Sequence, residues 1–191
     1  TASPLHGRRP RTLDTDAGGR LERNTFYWNA QQFAPYVNTS LDDFNWQAFN
    51  NSRIRYWLAR TVEGYTHWDS LSVQQEPSPD GTTNTQGQLT WYDYVGKPAN
   101  VDYERGTQIM PSVIARVMPD GSTWYEYFLR STNGLPRQTI EKWVDNGSTL
   151  FRTNTFSYAA NNVDMTLHIG PNNEQVSSNV FNAYHLVTTN Y

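Results

Sequence analysis

Branched and aromatic residues recur among polar ones in seven short runs along this chain. Runs of this kind cover Arg53–Val62 and residues 88–95, 109–118, 122–129, 137–144, 149–158 and 175–186. They suit a pleated, half-buried surface. Between them stand Asp80-Gly81, Asp120-Gly121, Asn133-Gly134 and Asn146-Gly147. Such pairs tolerate positive φ and match the twist of a two-residue hairpin loop. Their repetition predicts consecutive antiparallel hairpins. Pro77 and Pro79 mark a loop near 76–87. Helical periodicity is scarce, and its best candidate is one short helix near 41–50. There Ser40 is a candidate cap, Asp43 completes a capping box, and Leu41, Phe44 and Ala48 recur at helical spacing. The predicted fold class is mainly β.

Composition sharpens this picture. Hydrophobic residues make up 37% of the chain, low for a self-contained core, whereas aromatics reach 14%. Large rings with polar tips suit half-exposed sheets. The net charge of −3 and the lack of a basic tract leave nucleic-acid binding without an electrostatic footing. With no cysteine there are no disulfides, no thiolate nucleophile and no sulfur-bound zinc. No run approaches the roughly 20 apolar residues of a membrane-spanning helix. The chain opens without Met and stops at Tyr191 inside a strand-like run, so it reads as a piece of something longer.

Internal repeats give the strongest signal. Thr90-Trp91-Tyr92-Asp93-Tyr94 and Thr123-Trp124-Tyr125-Glu126-Tyr127 are nearly the same pentapeptide. Asn24-Thr25-Phe26 recurs as Asn154-Thr155-Phe156. Pro119-Asp120-Gly121 is answered by Pro171-Asn172-Asn173, and Leu135 by Leu186 after nearly the same interval. A turn, an aromatic strand, a second turn and a returning leucine make one hairpin tile. A lone two-stranded hairpin is marginal in water, so such tiles need neighbours.

These units resemble the RHS/YD-repeat family, with its loose pattern of Pro-Asp/Asn-Gly, an aromatic strand, then Gly-Arg-Leu. Asp16-Ala-Gly-Gly19-Arg20-Leu21 is similar to the core of one unit. The stretch from Val117 through Pro119, Asp120, Gly121, Trp124, Tyr125 and Tyr127 to Gly134 and Leu135 is similar to a nearly whole unit. So is the stretch from Ile169 through Pro171 to Tyr184 and Leu186. Divergent repeat 1–30, a divergent or inserted segment 31–87 and repeats 88–191 are the expected divisions. The resemblance implies a sheet that spirals into a shell in a secreted or surface-exposed bacterial protein. It implies a non-catalytic wall with no cofactor. Its partners would be neighbouring repeats, an enclosed C-terminal toxin or a surface carbohydrate. No Asp-Pro is present, so the family's self-cleaving element lies outside this segment.

Two rival readings stay open. Asp93 and Glu126 occupy matching positions of the pentapeptides and could form a glycosidase carboxylate pair; polar strand positions are the plainer account. The seven tryptophans could stack on sugars, although packing in the seams between strands accounts for them too. His168 and His185 fall in neighbouring expected strands. No HExxH, Gly-x-Ser-x-Gly or phosphate loop occurs.

Overall fold

The computed structural model describes residues 24–40, 43–63, 65–81, 85–98 and 104–191. Asp16, Gly19, Arg20 and Leu21 of the first candidate repeat lie outside these residues, as does Leu41 of the expected helix. The chain is mainly β, and it divides at 121/122 into two units. That boundary is not among the expected ones. Strand pairing instead crosses both 30/31 and 87/88.

In the first unit, β1 (Asn24–Tyr27), β2 (Arg53–Val62), β3 (Tyr65–Gln75), β4 (Leu89–Asp93) and β5 (Val113–Val117) pair antiparallel in chain order. The register explains the core. Phe26, Ile54, Gln75 and Leu89 lie opposite one another in one row. Tyr56, Val73, Trp91 and Ala115 form a second. Ile54, Tyr56, Val73, Leu89, Trp91 and Ala115 are all buried. The intervening row of Arg55, Gln74, Thr90 and Arg116 points the other way, as alternation requires.

A second layer covers the buried face. It consists of α1 (Ala30–Phe33), a 3-10 turn (Ala34–Tyr36) and α2 (Trp46–Asn50). Phe26, Trp28, Phe33, Tyr36, Phe44 and Phe49 form one ring cluster, with centroid separations from 4.8 Å for Phe26–Phe49 to 6.4 Å for Trp28–Phe33. Trp28 donates its indole N–H to the Ala48 carbonyl at 2.8 Å, tying cluster to helix. The helix near 41–50 is therefore real but shorter. Its cap is Asn45, whose side chain accepts the Ala48 N–H at 3.0 Å. Ser40 instead closes a backbone turn with Asp43. The capping box occurs earlier, between Asn29 and Gln32.

Strand β3 was not among the expected strands. Its buried positions are Ser70, Ser72 and Gln75 beside Val73, so its hydrophobic pattern is weak. Gln75 is fully buried, yet its amide donates to Asn50 at 2.9 Å and accepts from Gln86 at 3.1 Å. A buried amide held on both sides costs little.

In the second unit, β6 (Thr123–Arg130), β7 (Pro136–Asp145), β8 (Ser148–Tyr158), β9 (Met165–Ile169), β10 (Gln175–Phe181) and β11 (Val187–Asn190) again pair antiparallel in chain order. The expected strand 175–186 is thus one shorter strand, β10, followed by a turn over 182–186, and β11 starts only beyond it. Of residues 122–191 only Asp164 and Gly170 are buried. This unit is a sheet without a single fully buried apolar side chain.

Candidate functional site

The turns carry the repeat. Asn146 and Gly147 both have positive φ, at 47° and 78°, so this pair forms the expected two-residue hairpin loop. At the other three pairs only the glycine is left-handed, as at Gly81, Gly121 and Gly134. Gly134 donates its N–H to the Ser131 carbonyl at 2.9 Å, and Ser131 donates to Leu135 at 2.8 Å. That is a type I turn followed by one left-handed residue, and a register shift follows between Leu129 and Arg130. The same construction recurs with Asn173 at φ 62° and His185 at φ 63°. Asn173 donates to Gly170, and His185 to Asn182. Pro119-Asp120-Gly121 and Pro171-Asn172-Asn173 therefore occupy equivalent turns. Leu135 and Leu186 are equivalent as well, each accepting the bond that closes its loop. Leu186 does not return to a buried face; it is 63% exposed, and Tyr184 beside it is 82% exposed.

The matched pentapeptides have different surroundings. Trp91 is buried in the first unit opposite Val73 and Ala115. Tyr94 is buried just beyond β4, and its hydroxyl donates to the Leu71 carbonyl at 2.8 Å. Burial raises its pKa, and burial also raises that of Tyr92. Trp124, Tyr125 and Tyr127 are only half-buried. Tyr125 and Tyr127 share one face, with centroids 5.9 Å apart and ring planes within 16°. The Lys142 ammonium sits 5.5 Å from the Tyr125 ring centre.

Each candidate carboxylate is engaged locally. Asp93, in the first unit, accepts the Tyr94 N–H at 3.0 Å and has the Lys97 ammonium 3.9 Å away. Glu126, in the second, lies opposite Glu141, which lies opposite Arg152. Three of the tryptophans are occupied as well. Trp28 belongs to the ring cluster, Trp57 donates to the Thr25 hydroxyl at 3.0 Å, and Trp91 is core.

The most connected polar group was not visible as a motif. Turns 131–135, 159–164 and 182–186 are joined by side chains at one end of the second unit's sheet. Asn133 donates to the Asn162 carbonyl at 2.7 Å. His185 Nδ1 lies 3.0 Å from Asp164 Oδ2 and 3.3 Å from Asn161 Nδ2. Asn161 also accepts the Val163 and Asp164 N–H groups and donates to Asp164. The hydrogen bond from His185 holds the Asp164 carboxyl below its ordinary range. His168 is elsewhere, stacked on Phe156 at 4.7 Å and 3.0 Å from Asn154 Oδ1, so the two histidines do not pair. The asparagine-rich run at 161–164 was the only sequence signal for this ladder.

Among the described residues, no three His, Asp or Glu side chains converge to hold a metal. No helix there is long and apolar enough to cross a membrane. Comparison with protein-family models, curated proteins and solved structures finds no match.

Proposed function

We propose that this chain is a non-catalytic wall segment of RHS/YD-repeat type. In this reading it belongs to a secreted or surface-exposed bacterial protein, where it encloses a toxin or other cargo or displays a surface. The observation that supports it is the second unit. Six strands follow one another edge to edge, three of the turns between them share one construction, and none buries an apolar side chain fully. Sheets usually hide one face against another layer. Hairpins that leave both faces half-open are suited to repetition as a wall, where backbone pairing does the work. Among the described residues β1 pairs only with β2 and β11 only with β10, so each presents an edge to which a further strand can add.

The test is to read the gene outward from both ends and express the longer product beside the 191-residue chain. Further hairpin tiles in the flanks, and a higher melting temperature for the longer chain, would support the wall. A 191-residue chain that stays monomeric and melts cooperatively, with no tiles in the flanks, would overturn it.

A further inference from the structure

The register sorts the second unit's strand residues onto two unlike faces. On one face lie Leu129, Ile140, Val144, Phe151 and Leu167, reached through directly opposed pairs, and Val180, two residues on from Ser178, which is opposite Leu167. Leu129, Val144, Phe151 and Val180 are between 50% and 62% exposed. Lys142 is the one charged side chain on this face, and it leans over Tyr125. The opposite face carries Glu126, Arg130, Glu141, Arg152 and His168 among its rings. A sheet with one face whose apolar side chains stand among threonines, serines and Gln138 with a single charge, and one charged face, is suited to be half of a two-layer structure.

We infer that the Leu129–Phe151–Val180 face is a self-association surface, against which a second copy of this chain packs sheet on sheet. Three observations select this occupant. The face carries almost no charge, so an identical face meets it with little repulsion. Residues 122–191 hold four Lys/Arg and five Asp/Glu, a net charge of −1, so the unit itself is not strongly self-repelling. The strands run from four to eleven residues. At about 3.4 Å per residue and about 4.8 Å between strands they present roughly 700 Å². Two such faces together fall within the range of roughly 1,200–2,000 Å² that stable complexes bury. This surface is distinct from the strand edges used in the wall reading, and it does not depend on that reading.

The experiment is sedimentation equilibrium of the 191-residue chain across a hundredfold concentration range, with two variants. The face variant is Phe151→Glu/Val180→Glu; Leu129→Lys/Val144→Lys replaces it if circular dichroism shows lost structure. The edge variant is Asn190→Pro. Ser178 and Tyr191 exchange both backbone bonds, at 2.9 and 2.8 Å, so the Asn190 amide between them points away from β10 and proline blocks only the outer edge. The expected result is a dimer for the native chain and the edge variant, and at least a tenfold weaker association for a folded face variant. A native chain that is monomeric throughout overturns the inference. So does association that the edge variant abolishes and the face variant leaves intact, an outcome that leaves the wall reading standing.

Discussion

Gly87 and Gly106 are fixed by space. A Cβ on Gly87 would sit 1.7 Å from the Glu76 carbonyl oxygen, and one on Gly106 would sit 2.0 Å from that of Val95. Both neighbours are backbone, so neither can step aside cheaply. Gly87→Ala is expected to destabilise the first unit by about 2 kcal/mol or more, read by urea denaturation. Trp91 is 2% exposed, and Trp91→Ala should cost about 3–5 kcal/mol in the same assay. Asp164 gives a pH-dependent prediction. Its folded pKa is depressed, chiefly by the His185 hydrogen bond, so its stabilising contribution is present above the unfolded carboxylate range. That contribution disappears as pH falls through the lowered folded value. Asp164→Asn should therefore lower the melting temperature at neutral pH, and its deficit relative to the native chain should shrink in acid. An unchanged deficit in strong acid would show that the carboxylate's charge is not what matters.

At the scale of elements, turns and cross-strand rows set the second unit's register. Gly147 has φ 78° with no atom near its Cβ position, so Gly147→Ala tests backbone conformation alone. It should cost about 1 kcal/mol, read as a shift in the denaturation midpoint. Glu126, Glu141 and Arg152 form one row across β6, β7 and β8. Arg152→Glu would place three carboxylates side by side and should cost roughly 0.5–1 kcal/mol at low salt, less at 1 M salt. Much of this scale could be read from the chain. The Asn-Gly hairpin at 146–147, the helix within 41–50 and the equivalence of Pro119-Asp120-Gly121 with Pro171-Asn172-Asn173 all follow from local chemistry. Strand β3 could not, because a strand that buries serines and a paired glutamine has no hydrophobic alternation to display. The break after Phe181 was missed because His185 replaces the glycine that usually marks a left-handed position.

For the molecule as a whole, the two units differ in how they are held. The first has a two-layer core built on Ile54, Leu58, Val73 and Trp91; the second has none. Hydrogen exchange should therefore find the slowest amides around Ile54, Val73 and Trp91. In the dilute, dissociated chain, residues 122–191 should open at a lower free energy. Equal protection in both units would mean that something covers the second sheet in solution, as self-association through the Leu129–Phe151–Val180 face would do.

The sequence by itself determined a mainly β chain of successive hairpins, because period-two alternation and left-handed turn residues are local properties that survive without context. It also held the repeat, since equivalent turns need equivalent residues. Only the tertiary structure decided which aromatic residues are core and which are surface. Trp91 and Trp124 stand in matching pentapeptides, yet one is buried in the first unit's core and the other is half-exposed on an open sheet. The ladder of Asn161, Asp164 and His185 likewise came from the fold, because strand lengths between turns decide which loops meet at one end of a sheet.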